Sequence, residues 1–200
     1  MIKNYSYDQE EIINNILILH NQSQNIELDP CYNLGGFYKN GLVKSPRIKS
    51  DIAPQSPGVL KFDIRSLPFE NSSIKSAIFD PPFIIGRTSL MSKRYGSFNS
   101  LSELLLFYKE SLHELKRVLK HGGLLIIKCQ DFVNARKMHF ILPQVLKMAK
   151  ELNFATRDLF HLLAKSRAIA GRIKNQQHAR NYHCYFLVLK NNKRSKKNGL

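Results

Sequence analysis

Asp80-Pro81-Pro82-Phe83 combines a carboxylate, two imino acids and an aromatic ring in a pattern that suits work on an amino group. The run Ile74-Lys75-Ser76-Ala77-Ile78-Phe79 just ahead of it reads as a buried strand, which puts the tetrapeptide at a strand exit. Two successive prolines stop ladder bonding and hold the chain extended, because neither has an N–H to donate. Their carbonyl oxygens remain available as acceptors beside the carboxylate of Asp80. An amine placed there donates one hydrogen to Asp80 and the other to the Pro81 carbonyl. Its lone pair then points at an electrophile, while Phe83 stacks on the ring that bears the amine. Such an arrangement suits in-line transfer of a methyl cation from a sulfonium donor, with positioning and electrostatics in place of a covalent intermediate. A strand that leaves on Asp-Pro-Pro is also an ordinary structural device, so the tetrapeptide needs its context.

The elements ahead of it supply that context. Ile26-Glu27-Leu28 ends at Asp29, Arg47-Ile48-Lys49-Ser50 at Asp51, Val59-Leu60-Lys61-Phe62 at Asp63, and Ile74 to Phe79 at Asp80. Aspartate is a common turn residue. Four strands in succession that finish on one are harder to set aside, since ligands of open parallel sheets sit beyond the carboxyl ends of the strands. Further on, Leu104, Leu105, Tyr108, Leu112, Leu115 and Leu119 recur at helical spacing, which predicts a helix over 101–119 that stops at Lys120-His121-Gly122-Gly123. Leu124 to Lys128 reads as a strand buried on both faces. A helix over 140–152, a weaker strand over 157–163 and an aromatic-rich strand over 182–189 follow. The fold class is α/β: a doubly wound, mostly parallel seven-stranded sheet in a single domain that ends in an antiparallel pair. Domain boundaries are expected at a helical extension over 1–23, a catalytic domain over 24–190 and a basic, disordered tail over 191–200. The extension, a helix over 8–19 with an acidic first turn, is expected to stand apart from the chemistry.

With these residues in order, the chain resembles the class I S-adenosylmethionine-dependent amino-methyltransferases, above all those of the DNA adenine-N6 and cytosine-N4 type. Their signature is Asp, Asn or Ser followed by Pro-Pro and an aromatic, and the form in this chain is similar to the adenine-N6 one. Asp29-Pro30-Cys31-Tyr32-Asn33-Leu34-Gly35-Gly36 resembles the family's cofactor loop, with Asn33 where a first glycine is common. Asparagine tolerates positive φ better than most residues. Asp51-Ile52 resembles the motif whose acid accepts from the ribose hydroxyls, and Asp63-Ile64 the one that meets the adenine of the cofactor. Lys120 to Lys128 resembles the Gly-Gly turn and fifth strand of the wider class. The resemblance implies catalytic roles for Asp80, Pro81, Pro82 and Phe83. It implies S-adenosylmethionine contacts by Asp29, Pro30, Cys31, Tyr32, Gly35, Asp51, Ile52, Asp63, Ile64 and Asp80.

The bulk properties point to the partner. Lys and Arg number 31 against 15 Asp and Glu, a formal net charge of +16, which fits a polyanion, nucleic acid before an anionic membrane surface. Base composition rich in A and T also inflates lysine and asparagine together, so charge alone names no function. Two basic segments are candidate substrate loops: one with Arg87, Lys93, Arg94, Tyr95 and Phe98, where a flipped base would be enclosed, and one with Lys165, Arg167, Arg172, Lys174 and Arg180. Ordinary solvated loops carry such residues too. Cys31, Cys129 and Cys184 are odd in number and show no CxxC spacing; no metal site is expected, and a cytoplasmic location is. No apolar run has the length of a membrane span, and the start of the chain lacks the pattern of a secretory signal. The leading expectation is methylation of a base amino group in DNA, adenine N6 before cytosine N4. Methylation of rRNA or tRNA bases is the alternative, and a non-catalytic nucleic-acid-binding subunit a further one. No block is large enough for a separate recognition domain, which leaves a role for a partner subunit, a homodimer, or an RNA read by shape.

Overall fold

The computed structural model describes residues 1–21, 23–86, 96–165, 175–179 and 181–192. In chain order its elements are β1 (Tyr5–Ser6), α1 (Gln9–His20), β2 (Leu28–Asp29), β3 (Ile48–Asp51), β4 (Leu60–Lys61), β5 (Ile74–Phe79), α2 (Leu101–Val118), β6 (Leu119–Cys129), β7 (Phe132–Asn134), β8 (Lys137–His139), α3 (Ile141–Glu151), β9 (Phe154–Leu163) and β10 (His183–Asn191). The central sheet runs β1-β9-β10-β6-β5-β2-β3-β4. Every pairing in it is parallel except those of β10, which lies antiparallel to both β6 and β9. The doubly wound, mostly parallel sheet and its closing antiparallel pair are therefore as the sequence predicts. The eighth strand is β1, whose two residues carry no periodic signal; the β7–β8 hairpin is likewise absent from the pattern, because its turn residues Ala135 and Arg136 take positive φ without glycine.

Alternation along the central strands sends apolar side chains to two separate cores. Ala77, Phe79, Leu125 and Ile127 face Leu104, Leu112 and Leu115 of α2 and Val145 of α3. Ile78, Leu124, Ile126, Phe186 and Val188 face Ile12, Ile13, Ile16 and Leu17 of α1. Burying each of those four α1 side chains contributes about 1.5–3 kcal/mol, so α1 is a structural layer of the sheet.

Helix starts are fixed by side chains. Asp8 accepts from the Glu10 N–H at α1, and Ser100 accepts from the Glu103 N–H at α2. No residue of its own caps α3; Asp131, just past β6, accepts from the N–H groups of Ile141 and Leu142 instead. One expectation is corrected here. Lys120 to Gly123 do not form a turn after α2, because α2 hands over to β6 at Leu119. They make a bulge within the strand, where pairing jumps from Ile74–Leu119 to Ser76–Leu124 and Gly122 sits at φ +73°.

Candidate active site at the carboxyl edge of the sheet

Sheet order β5-β2-β3-β4 sets Asp80, Asp29, Asp51 and Asp63 side by side along one edge. Asp29 is buried, with 1% of its surface exposed, and accepts from the Tyr38 hydroxyl at 2.8 Å and the Cys31 N–H at 3.1 Å. Burial pushes its carboxyl up to about 7, with smaller contributions from the charges of Asp80 and Asp51, against the two hydrogen bonds that favour ionisation. Asp80 is also raised by burial; the nearby Lys128 ammonium opposes that rise. Lys128 reaches Asp80 at 3.2 Å, donates to the Gln9 side chain at 3.4 Å, and lies over the rings of Phe37 and Phe186.

The loop after β2 folds as the sequence pattern requires. Asn33 takes φ +47° and Gly35 φ +66°, so asparagine does occupy a left-handed position. A Cβ on Gly35 would meet the Tyr32 hydroxyl at 2.5 Å, and the Tyr32 ring stacks on Tyr38 with centroids 5.6 Å apart. Asp51 fastens this loop to the next strand: its oxygens accept from the N–H groups of Asn33 at 3.0 Å and Ala53 at 2.9 Å. The Cys31 thiol lies against the backbone N–H of Asp80, which joins the loop to the tetrapeptide. Beside them Ser50 holds a buried hydroxyl with no hydrogen-bond partner among the described residues.

Asp63 stands apart from this trio. Arg65 grips its carboxylate through Nε and Nη2, the latter at 2.6 Å, and holds it below the usual carboxylate range. Its lone pairs are thus shared with an arginine that sequence reasoning did not single out. Ile64 next to it is buried, whereas Ile52 beside Asp51 is exposed. Pro81 is buried, and Pro82 and Phe83 are partly so.

Among the candidate substrate residues, Phe98 needs correction. It is buried in the core against Phe107, with ring centroids 5.2 Å apart, and pairs through its backbone with Ile84 and Gly86. An apolar ring next to a helix start gains more from the core than from solvent, so Phe98 anchors the loop that it was expected to serve as a contact. Lys165 is exposed, its ammonium 5.6 Å from the Tyr7 ring centroid. Arg87, Lys93, Arg94, Tyr95, Arg167, Arg172, Lys174 and Arg180 lie outside the described residues.

Sequence reasoning missed Lys128, Gln9, Glu10 and Tyr38. Buried Glu10 accepts from the N–H groups of Asn40 at 2.7 Å and Val43 at 2.9 Å, and Gln9 donates to the Gly36 carbonyl at 2.9 Å. The helix expected to stand apart from the chemistry therefore pins the loop after β2. A buried acid on the apolar side of an amphipathic helix is the signal that points to this.

Chemically the edge is a small anionic basin in a basic protein. Asp29, Asp51 and Asp80 face each other with Lys128 as the cation in contact with Asp80. A positively charged ligand relieves their mutual repulsion, and the sulfonium and ammonium of S-adenosylmethionine fit that donor set; the left-handed turn at Asn33 and Gly35 gives its backbone close approach. Among the described residues no group of three metal-ligating side chains occurs, and no helix is long and apolar enough to cross a membrane.

The DNA methylase family model matches residues 74–199. Among solved structures the chain is similar to TrmN from Thermus thermophilus, at 17% identity over 90% of this chain and 48% of that one, with a TM-score of 0.51. It is similar to the PH0226 protein from Pyrococcus horikoshii at 15% identity over 91% and 90%, with a TM-score of 0.50. TTHA0409 from Thermus thermophilus, solved in complex with S-adenosyl-L-methionine, is 18% identical over 68% of this chain with a TM-score of 0.49, and the chain spans 56% of its length. The first two share the fold. The sequence has no significant match among curated proteins.

Proposed function

The chain belongs to the DNA methylase family, and from that premise we propose that it moves a methyl group from S-adenosylmethionine to the exocyclic amino group of a base in DNA, adenine N6 first and cytosine N4 next. The observation that carries this reading is Asp80, a carboxylate at a strand exit with Lys128 at 3.2 Å and two imino acids after it. In this reading residues 24–190 form the methyltransferase domain and residues 1–23 brace its cofactor loop.

The cofactor, when bound, supplies a methyl group activated by its sulfonium. Everything else falls to the chain. Asp29, Pro30, Cys31, Tyr32 and Gly35 form one wall of the cofactor site; Asp51 with Ile52 and Asp63 with Ile64 form the next. At the reacting centre Asp80 accepts one amino hydrogen and the Pro81 carbonyl the other, while Pro82 keeps the segment extended and Phe83 stacks on the base. The lone pair of the amine is then held in line with the methyl carbon. After transfer the nitrogen carries a surplus proton. Asp80 is the group within reach to take it, and its upward-shifted carboxyl suits that step better than an ordinary aspartate would. Lys128 opposes the rise that burial imposes on Asp80 and so favours its ionised form beforehand.

Incubation with labelled S-adenosylmethionine and DNA, followed by nucleoside analysis, tests this directly. Methyladenine or methylcytosine is the expected product. Asp80→Ala should abolish turnover and leave cofactor binding within a few-fold of wild type; near-normal rates in that variant would sink the mechanism.

Compactness supports a second reading. The described elements all build or flank one sheet, and a chain of charge +16 with no recognition unit among them also suits a folded RNA read by shape. Parallel assays on rRNA, tRNA and DNA separate the two. Absence of cofactor binding in calorimetry would instead favour a non-catalytic subunit within a larger methyltransferase.

A further inference from the structure

The opposite edge of the sheet, where the parallel strands begin, carries its own concavity. A cleft of about 480 Å³ is lined by Ile18, Leu19 and His20 of α1, Lys75, Lys120 to Gly123, and Lys190. A second, of about 730 Å³, shares Leu19, His20, His121, Gly122 and Lys190 with it and adds Arg157 and Asn192. Together they form one groove with four cations on it: Lys75, Lys120, Arg157 and Lys190. Among the described residues none of the four forms an ion pair with a carboxylate. The nearby acids are already engaged. Asp158 is taken by His20 at 3.2 Å, and Glu27, which feels the charge of Lys75, is taken by Arg47 at 2.6 Å.

One of these cations, Lys190, is held in place by the fold. Lys190 donates to the His20 carbonyl at 2.7 Å, and both burial and the charge of Arg157 push its ammonium below the usual lysine range. The bulge in β6 sets Lys120 and His121 on the rim. Gly123 within the bulge cannot carry a side chain, since a Cβ there would stand 2.8 Å from the Lys120 carbonyl oxygen. Like charges gathered where the nearby carboxylates are already engaged are costly unless a ligand supplies counter-charge. Rim cations with the exposed apolar side chains of Ile18 and Leu19 beside them match a chain of phosphates with sugars between them.

We propose that this groove is a phosphodiester-binding site, a second contact for nucleic acid at the edge of the sheet opposite Asp80. It deepens the reading of a nucleic-acid enzyme and rests on it for the identity of the partner. Lys75 and Asp80 are five residues apart on one strand, about 17 Å at about 3.3 Å per residue, and the two sites face opposite ways. Duplex DNA is stiff over roughly 150 base pairs, so one straight duplex does not occupy both. A polynucleotide that turns back on itself, such as a folded RNA or a single strand, does.

The test is binding by fluorescence anisotropy, with the full chain and no cofactor. The probes are a duplex DNA of about 20 base pairs, a hairpin RNA and a single-stranded DNA, each titrated at several salt concentrations. Replacing the exposed cations together, Lys75→Gln, Lys120→Gln and Arg157→Gln, should weaken binding of at least one probe tenfold or more. It should also flatten the salt slope by about 2–3, since each phosphate contact contributes roughly 0.7–0.9. A charge-matched control, Lys109→Gln, Lys147→Gln and Lys150→Gln, should change binding less than threefold. The probe most affected identifies the source of the phosphates. Unchanged binding of all three probes overturns the proposal, as does an equal loss in the control, or competition by poly-glutamate as effective as competition by nucleic acid. Lys190→Gln alone, with thermal melting as a check on folding, repeats the test at the most constrained cation. Because binding is read without turnover, a chain that grips nucleic acid through the groove but methylates nothing keeps this inference and defeats the proposed function.

Discussion

Lys128 is the residue on which the electrostatics of the site turn, and Lys128→Met is the perturbation that exposes its part. Its ammonium stands 3.2 Å from the Asp80 carboxylate, and both side chains are largely buried, at 13% and 24% exposure. At that separation the attraction is about 5 kcal/mol with an effective dielectric constant near 20, and about 1.3 kcal/mol in bulk water. Those limits bracket the shift of roughly 1–3 pKa units that a carboxylate shows beside a cation. Burial raises Asp80 and Lys128 holds it back, so loss of the ammonium lets the carboxyl rise further. In the proposed mechanism the ionised form of Asp80 accepts the amino hydrogen and takes up the surplus proton after transfer. The acid limb of the kcat profile should therefore move to higher pH by about 1–3 units. On that limb the rate falls about tenfold for each unit of displacement, and it recovers on the alkaline side. Methionine preserves the apolar stem against Phe37 and Phe186, which limits the structural cost.

Two further variants separate charge from position. Lys128→Gln retains a hydrogen-bond donor without charge and should shift the limb as Lys128→Met does. Lys128→Arg restores the charge and should bring the limb back toward wild type. The assay is methyl transfer under single-turnover conditions across the acid and alkaline limbs, with saturating cofactor. An acid limb that stays put in Lys128→Met, or that moves equally in Lys128→Arg, refutes the reasoning.

Three other outcomes follow from the same edge. Asp29 has a carboxyl raised from 3.8 to about 7, so its ionisation destabilises the fold: stability is highest below the unfolded value and falls as pH rises toward 7. Asp29→Asn should be indistinguishable from wild type near pH 4 and more stable near pH 8, by at most about 4 kcal/mol in urea denaturation; equal stability at both pH values would contradict it. Glu10→Gln leaves one of two acceptors for the Asn40 and Val43 N–H groups, and should cost about 1–3 kcal/mol and loosen the cofactor loop. Denaturant melts and calorimetry with S-adenosylmethionine read the two effects. Asp51→Ala frees the Asn33 and Ala53 N–H groups and should weaken the cofactor at least tenfold, about 1.4 kcal/mol, while an unchanged Kd would remove Asp51 from the site.

What the sequence made legible is what local chemistry dictates. Strands that end on aspartate, a pair of prolines and a long amphipathic helix each declare themselves within a few residues, and the structure places all three as expected. Asn33 at positive φ was readable for the same reason, since the turn constrains a single residue. Partnerships across the chain were not. Nothing near Lys128 in sequence points to Asp80, 48 residues earlier, because only the parallel pairing of β5 and β6 brings them together. Glu10 and Val43 meet across a fold in the same way. Phe98 was misread because a loop residue a few positions after Lys93 and Arg94 looks solvated until Phe107 is packed against it.

The layout of charge resolves an apparent conflict in the chemistry. A basin with Asp29, Asp51 and Asp80 attracts a cationic cofactor but repels phosphates, and on the proposed function the base to be modified would arrive on a phosphate chain. Affinity for the polyanion must therefore come from cations placed away from the basin. Over distances of about 8–10 Å at physiological salt the two fields are screened from each other. Lys75 stands about 17 Å from Asp80 at about 3.3 Å per residue, beyond that screening length, and Lys120, Arg157 and Lys190 line the same groove as Lys75. Lys128 is the exception that the mechanism requires: a cation inside the basin, too close to Asp80 to be screened and occupied by it, hence unavailable to phosphate. A neutral amino group is then the part of the substrate that enters without opposition. On the proposed function, the acids at this edge would select an amine, and the bulk charge of the chain would select the molecule that carries it.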